Sequence, residues 1–373
     1  MCDHASFMRQ ALRLAERGRG FASPNPVVGA VVVKGGRVVG RGLHRRFGGP
    51  HAEVEALRQA GPRARGATLY VTLEPCKHFG KTPPCVPGIL AAGVRAVVLG
   101  ARDPNPPAAG GAAELRRAGV RVVEGILESE CRELNAAFFK HVRTGLPLVT
   151  LKWAMTCDGK LATAKGESRW ITGRESREFV HRLRAAHDAV LAGIGTVLKD
   201  APRLTARPEG ARGWRPKRVI LDRRARTPLS APLWSARGGG PIIICAGAGA
   251  PPRRIRALER KGAKVLLLPE RSGRLPIPEV LRRLGATGIT SLLVEGGSEI
   301  SGAFLDARAA DQVCAFIAPK LLGGRKSVPA VGGEGAPRMR DALRLREVRY
   351  FRFGPDMLLT GRLGRWSWLA PAT

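Results

Sequence analysis

The chain has 373 residues, with 63 Lys and Arg against 30 Asp and Glu, for a net charge of +33. That length exceeds one ordinary domain, so two are expected, and the aliphatic content can fill two cores without disulfide staples. No apolar run approaches the roughly 18 residues of a membrane span. The first ten residues lack a charged-then-apolar leader, so a soluble, cytoplasmic chain is expected. Seven widely scattered cysteines argue against a disulfide framework. Clustered cations would suit a nucleic-acid partner. Here they are dispersed, aromatic residues are few and no RNA-binding module pattern is found, so no nucleic-acid partner is expected. Small anionic substrates would still gain from the field.

In chain order, Ser6 to Arg17 has the apolar spacing of an amphipathic helix. Pro24-Asn25-Pro26 is a rigid turn into a hairpin, Val27 to Val33 and Val38 to Gly42, around Gly35-Gly36. Asn25 reads equally as turn chemistry or as an amide presented to a ligand. His44 follows the hairpin, and Gly48-Gly49-Pro50 leads into His51. A helix over Ala52 to Gln59 ends at Gly61-Pro62, and a strand over Thr68 to Leu73 follows. Next comes the run Pro75-Cys76-Lys77-His78-Phe79-Gly80-Lys81-Thr82-Pro83-Pro84-Cys85.

One His and two Cys can hold zinc with its fourth position open, as a catalytic zinc requires. A water there would become acidic enough to attack near neutral pH. Glu53 stands two residues after His51. At the first turn of a helix both side chains can reach a site off its N-terminal end, and Glu53 would move protons between the water and a leaving amine. His-x-Glu followed by Pro-Cys and a second Cys is the build of zinc deaminases acting on nucleobases. Separately, each piece has a plainer reading: His-x-Glu is common, and two cysteines are often buried thiols. Their conjunction around an apolar strand favours the metal. Cys85 would open a short helix to about Ala92, where the helix dipole favours a thiolate.

A strand over Val94 to Leu99 ends in Asp103-Pro104-Asn105-Pro106. Helix Gly111 to Arg117, strand Val120 to Val123 and one helix from Glu128 to Arg143 complete an alternating α/β unit, expected to carry a mostly parallel sheet. Thr144-Gly145-Leu146-Pro147 marks the boundary, dividing the chain into 1–146 and 147–373. The second half reads as strand Leu148 to Trp153, helix Arg174 to Ala185 and strand Ala189 to Ala192, followed by Gly193-Ile194-Gly195-Thr196. Further strands are expected at Arg218 to Leu221, Ile242 to Cys245, Lys264 to Leu268 and Ser291 to Glu295. Gly296-Gly297 then opens a helix over Ser298 to Asp306, and strands at Gln312 to Ile317, Val348 to Phe353 and Asp356 to Thr360 close the chain. Arg207 to Pro216 and Ser235 to Pro241 read as surface loops. Gly-x-Gly-Thr and Gly-Gly-Ser could bring backbone amides to a pyrophosphate, or be tight turns only. The usual dinucleotide fingerprint is absent.

The whole chain resembles the bifunctional deaminase–reductase family of riboflavin biosynthesis. The first half resembles the cytidine-deaminase-like α/β/α fold, and eight residues separate Cys76 from Cys85 where nucleoside deaminases usually have two. The second half resembles a dihydrofolate-reductase-like α/β domain, which binds NADPH without that fingerprint. Its carriers are the runs 151–160, 166–173, 193–200 and 294–297. The resemblance implies a substrate, 2,5-diamino-6-ribosylamino-4(3H)-pyrimidinone 5′-phosphate, which loses its ring 2-amino group before NADPH reduces its ribosyl group to ribityl. It implies zinc on His51, Cys76 and Cys85, with Glu53 catalytic, and Asn25, His44, His78, Lys81, Asp103 and Asn105 around the first substrate. It places NADPH against Ala154, Trp170, Thr196, Asp200 and Gly297. The second substrate would lie near Lys152, Ser168, Arg184, Leu204, Arg207 and Glu295, the two arginines suiting its phosphate. Self-association through the reductase half is also implied. Two positions depart from the family's usual pattern: Ala201 follows Asp200 where a second Asp is frequent, and Cys157 precedes Asp158 where a larger aliphatic residue is usual. The alternative is a nucleoside or tRNA-base deaminase with an inactive second half.

Overall fold

The computed structural model describes residues 3–207 and 215–369. The chain divides into two units: one runs to Gly145 and takes back the chain from Ser367, and the other spans Leu146–Trp366. Most of the loop expected from Arg207 to Pro216 lies outside the described residues.

The first unit begins with α1 (His4–Glu16), the hairpin β1 (Gly29–Lys34) and β2 (Arg37–Leu43), then α2 (Ala52–Ala60). It continues through β3 (Thr68–Leu73), α3 (Cys85–Ala91), β4 (Ala96–Ala101), α4 (Gly111–Arg117) and β5 (Arg121–Val123). Its five strands lie in the order β2-β1-β3-β4-β5. The expected mostly parallel sheet is mixed instead. The hairpin and the β1–β3 pair are antiparallel, and only β3–β4 and β4–β5 are parallel.

Helices cover both faces of this sheet, and missing side chains let them approach. A Cβ on Gly29 would lie 2.0 Å from the Ala11 carbonyl oxygen of α1. Gly42 pairs across the hairpin with Ala30, the next residue along β1, which faces the other way. A Cβ on Gly42 would lie 2.0 Å from the Ala52 carbonyl oxygen, and one on Gly40 would lie 2.2 Å from that of Ala56. Buried Ala52, Ala56 and Ala60 recur every four residues and form the face of α2 that meets these glycines.

The single helix expected from Glu128 to Arg143 is two, α5 (Glu128–Leu134) and α6 (Ala136–Thr144). Asn135 causes the break. Its side-chain amide accepts from Val27 N at 2.8 Å and donates to Val27 O at 2.9 Å, while its backbone leaves the helix at φ −105, ψ 20. The returning C-terminal segment packs Trp368 and Leu369 against this unit's apolar core. Arg143 and Arg132 hold the carbonyls of Trp368 and Leu369, at 2.9 and 3.2 Å.

The second unit opens with β6 (Leu148–Thr156), β7 (Lys160–Ala162), α7 (Arg174–Ala185), β8 (Ala189–Gly193) and α8 (Ile194–Asp200). β9 (Lys217–Leu221), β10 (Ile242–Gly247), α9 (Pro252–Arg260), β11 (Ala263–Leu268) and α10 (Ile277–Gly285) follow. It closes with β12 (Ser291–Val294), α11 (Ser298–Asp306), β13 (Gln312–Ala318), β14 (Val328–Pro329), β15 (Leu345–Phe353) and β16 (Asp356–Leu363). Nine strands form one sheet, β11-β10-β9-β8-β12-β6-β13-β16-β15, antiparallel only at its last two pairings. Both faces are buried. Along β9, Val219 and Leu221 enter one apolar cluster and Ile220 the other, so these strands read as continuous apolar runs. Helices α8, α9 and α10 and the short pair β7–β14 were not expected. α9 is rich in arginine and poor in apolar residues, and only Leu258 on it is buried.

The glycine contacts give a test of the first unit. Gly42→Ala forces the N-terminal turn of α2 away from the sheet and lowers the unfolding free energy by roughly 1–3 kcal/mol. Urea denaturation reads this directly, and an unchanged midpoint would contradict the packing described.

Candidate functional site

The alanine face of α2 sets where the helix begins, and therefore where His51 stands. His51 is its N-cap, in extended backbone (φ −73, ψ 160). Glu53 lies in the first turn, 4% exposed. From the far side, β3 ends at Leu73 and the chain runs through Glu74 and Pro75 to Cys76. Cys85 opens α3, and its backbone N–H donates to the Cys76 carbonyl at 3.1 Å, tying the two cysteines together.

The ligand atoms of His51, Cys76 and Cys85 lie within 4.8 Å of one another. His51 Nδ1 faces both sulfurs, at 3.2 Å from Cys85 and 3.5 Å from Cys76. The hydrogen bond from Cys85 holds the Cys76 thiol well down, to about 4, and the same contact pushes Cys85 up. An imidazole nitrogen and a thiolate-prone sulfur pair are the donor set that zinc prefers, so the residues fit the metal. His51 Nε2 meets Thr82 Oγ1 at 3.1 Å. With Nδ1 turned to a metal, Nε2 must carry the ring proton and donate it to Thr82, which fixes the tautomer and the ring plane. Burial pushes the carboxyl of Glu53 up, which suits a group that must hold and release a proton.

Beside this trio is a cavity of about 160 Å³, lined by His51, Cys76 and Glu53. Asn25, His44, His78, Lys81, Asp103 and Asn105 all line it, so every residue expected at the first substrate site is brought to one place. His44 Nδ1 donates to the Pro50 carbonyl at 3.0 Å, leaving Nε2 to accept from Asn25 Nδ2 at 3.3 Å. Burial, helped by neighbouring His51, holds the His44 ring below its usual pKa. The Lys81 ammonium sits 4.2 Å from the centre of the Phe47 ring, a cation–π contact. Burial raises the Asp103 carboxyl to about 7. The Asn105 amide donates to Asp103 Oδ1 at 2.8 Å, forming a short turn.

In the second unit Glu295 follows the end of β12, between β6 and β8 in the sheet. Arg184 of α7 grips it with two bonds, Nε–Oε1 at 2.6 Å and Nη2–Oε2 at 2.7 Å, and Lys152 Nζ lies 3.8 Å from Oε2. Burial pushes the Glu295 carboxyl up, but Arg184 and Lys152 outweigh it and hold it at about 2. Nη1 of Arg184 donates to the Thr205 carbonyl at 3.1 Å. The guanidinium expected to meet a phosphate is thus occupied within the protein, whereas exposed Arg207 makes no ion pair among the described residues. The Leu204 side chain is 3% exposed and belongs to the core, so only its backbone is available to a substrate. Ser168 is half-buried.

Gly297 caps α11 and lies close enough that its Cβ would be 3.9 Å from Thr196 Oγ1. The Ser298 hydroxyl beside it is buried without a hydrogen-bond partner among the described residues. Trp170 is 63% exposed under the Arg177 guanidinium, 4.5 Å above its ring. Arg169 donates to the Asp200 carbonyl, bringing Trp170 and Asp200 into one neighbourhood. Ala154 is half-buried on β6. A second cavity is lined by Ile194, Asp222, Arg223, Arg224 and Arg226. Asp222 Oδ1 is buried there with no hydrogen-bond partner among the described residues.

Residues 147–359 match the family described as the RibD C-terminal domain, and residues 1–101 match the cytidine and deoxycytidylate deaminase zinc-binding region. The riboflavin biosynthesis protein RibD of Aquifex aeolicus is 43% identical over 95% of this chain and 97% of its own. The chain belongs to the RibD family. The RibD of Bacillus amyloliquefaciens is likewise 43% identical, over 95% of both chains. Among solved structures, Acinetobacter baumannii RibD superposes with a TM-score of 0.88 at 38% identity, covering 97% of this chain and 99% of its own. A Thermotoga maritima protein titled diaminohydroxyphosphoribosylaminopyrimidine deaminase/5-amino-6-(5-phosphoribosylamino)uracil reductase gives 0.82 at 37% identity, with the same coverage.

Sequence reasoning missed Phe47, Glu74, Thr82 and Phe138 in the first cavity and His181 in the second unit, where Nδ1 donates to Thr205 O at 3.2 Å. Thr82 lay inside the cysteine run, but nothing in the string pairs it with His51. Thr82→Val removes the acceptor for the His51 ring proton. Zinc affinity, read by competition with a chromogenic chelator, should fall by about 10- to 100-fold, with Thr82→Ser largely restoring it. Equal affinity in all three proteins would exclude this role.

Proposed function

We propose that the two sites act in succession on one phosphorylated pyrimidine. As a RibD-family chain it is a bifunctional enzyme of riboflavin biosynthesis, a zinc deaminase and an NADPH reductase. The substrate read for the first site is 2,5-diamino-6-ribosylamino-4(3H)-pyrimidinone 5′-phosphate. The observation that carries this reading is the convergence of His51, Cys76, Cys85 and buried Glu53 on a cavity walled by Asn25, His44, His78, Lys81, Asp103 and Asn105.

Zinc, when bound, supplies a water acidic enough to attack at neutral pH. The protein supplies position and proton transfer. Glu53 takes the proton that the water sheds as it adds to the ring carbon bearing the 2-amino group. It passes that proton to the adjacent ring nitrogen, then carries the proton of the added hydroxyl to the amino nitrogen, which leaves as ammonia while the carbonyl forms. Neutral His44, its tautomer set by Pro50, orients the Asn25 amide, and the Lys81 ammonium meets the anionic end of the substrate.

The second site fits NADPH on two counts: the unpartnered Ser298 hydroxyl at the N-terminus of α11, and the arginine-lined cavity beside the Ile194 turn. Ala154, Trp170, Thr196, Asp200 and Gly297 would hold the cofactor, which supplies the hydride for the ribosyl-to-ribityl reduction. Lys152, Ser168, Arg207, the Leu204 backbone and the Arg184–Glu295 pair would hold the substrate. Arg184 acts here by fixing Glu295, and Arg207 is the cation available to the phosphate. The alternative of a base deaminase with an inactive second half is set aside by the family match over 147–359.

No helix among the described residues is long and apolar enough to cross a membrane. The six described cysteines are all free, which supports a cytoplasmic setting. Self-association through the second unit is supported by β15, an edge strand with Tyr350 and Phe351 exposed.

Purified zinc-loaded protein given the diaminopyrimidinone phosphate should release ammonia without NADPH, and then oxidise NADPH once it is added. Glu53→Gln should keep its zinc and lose ammonia release by at least about 100-fold. Unimpaired release would remove Glu53 from the proton path. Light scattering should give a multiple of the chain mass, and a single-chain mass at micromolar concentration would remove the self-association reading.

A further inference from the structure

The loop carrying Asp103 and Asn105 has no regular structure between the end of β4 and α4, yet it walls the first cavity. One side chain ties it at both ends. Glu74, 6% exposed, follows β3 and precedes Cys76 by two residues. Its carboxyl accepts three backbone N–H bonds from the loop and the helix it leads into. Oε2 takes Asp103 N at 3.2 Å, and Oε1 takes both Gly110 N at 3.0 Å and Ala112 N at 2.9 Å. The same two segments touch again next door: Lys77 N donates to Ala108 O at 3.3 Å, and a Cβ on Gly111 would lie 1.9 Å from the Pro75 carbonyl oxygen.

We propose that Glu74 is a positioning residue of the deaminase site, clasping the Asp103–Asn105 loop to the strand end that presents Cys76. This sets the substrate-contacting wall at a fixed distance from the metal ligands. The inference rests on the reading of Asp103 and Asn105 as substrate contacts. Loop backbone buried away from water must have its N–H groups satisfied. Here both oxygens of one carboxyl satisfy three of them, at both ends of the loop. Displacing this wall by an ångström moves the ring relative to the attacking water, a displacement to which rates are steeply sensitive.

The atoms assign different tasks to the two oxygens, and Glu74→Gln separates them. An amide accepts on its oxygen and donates from its nitrogen. With its oxygen at the Oε1 position, Gln keeps Gly110 and Ala112 but sets an NH₂ against the Asp103 N–H, donor against donor. The opposite flip would break two bonds instead of one. Glu74→Gln therefore frees the Asp103 end of the loop while leaving the start of α4 anchored.

The test uses the full zinc-loaded chain and the diaminopyrimidinone phosphate. In Glu74→Gln, kcat/KM for ammonia release should fall by about 10- to 100-fold, the effect of one buried bond lost and a donor left unpaired. The loss should appear in KM and in kcat together. Zinc content and NADPH oxidation with the deaminated substrate should match wild type. Unchanged KM overturns the proposal, and so does a loss that tracks zinc loss, which would place Glu74 in the metal segment alone. Residue-resolved hydrogen exchange decides independently of folding in the variant. In wild type the Asp103, Gly110 and Ala112 amides should all be protected, and in Glu74→Gln only Asp103 should speed up. A rapidly exchanging Asp103 amide in wild type overturns the clasp. If wild type releases no ammonia from this substrate, the functional reading fails, while the exchange pattern still decides whether Glu74 holds the loop.

Discussion

The closeness of α2 to the hairpin is the constraint on which the deaminase site depends. A zinc site made from residues 25 positions apart in the chain, His51 and Cys76, tolerates little error in where its helix begins. Here that position is set by contact between backbone and backbone. Gly40 and Gly42 leave the strand bare, Ala52 and Ala56 leave the helix nearly so, and the two approach until no added carbon would fit. Interiors pack at crystal-like density, so such a contact has essentially one solution. His51, as N-cap, inherits that precision, and Glu53 one half-turn later is buried by the same act.

The two units solve the burial of charge differently. In the first, Glu53, Asp103 and the two thiols are withdrawn from water with no Lys or Arg ion pair among the described residues. Burial is the largest cause raising Glu53 and Asp103, and neighbouring thiol and carboxyl groups add to it, so both carboxyls hold a proton more readily than usual. In the second, Glu295 is equally withdrawn but is held as an anion by a two-bond guanidinium and a nearby ammonium. A buried pair of that geometry adds little net stability, because desolvation offsets attraction. Its value is a carboxylate of fixed charge and direction next to the sheet's central strands. Proton-transfer chemistry on one side and hydride-transfer chemistry on the other ask for those two different environments.

Legibility from sequence followed how local each feature is. The grouping of His51, Cys76 and Cys85 could be read because ligand chemistry and spacing are written in residue types, and the strands of both main sheets because their apolar runs are short and bounded by turns. The long-range contacts could not. Asn135 looked like an ordinary residue inside a helix, and only its paired bonds to Val27, 108 positions away, break that helix. Arg184 was read for its affinity to phosphate, whereas Glu295, 111 positions on, occupies it. Glu74 stood in plain view before Pro75 and Cys76, but its three partners lie 29 to 38 residues downstream. Side chains that work by holding backbone have no signature of their own, since any segment offers the same N–H groups.

The return of the chain to the first unit after Trp366 has a consequence for biosynthesis. Trp368 and Leu369 cover part of the first unit's apolar core and are held there by Arg143 and Arg132. Those two residues leave the ribosome after the entire second unit. During synthesis the deaminase half therefore waits, its last apolar patch uncovered, while about 220 further residues are translated, a span of tens of seconds at usual elongation rates. Sealing that patch makes the emergence of Trp368 and Leu369, and not the end of the first domain, the moment at which the first unit becomes whole.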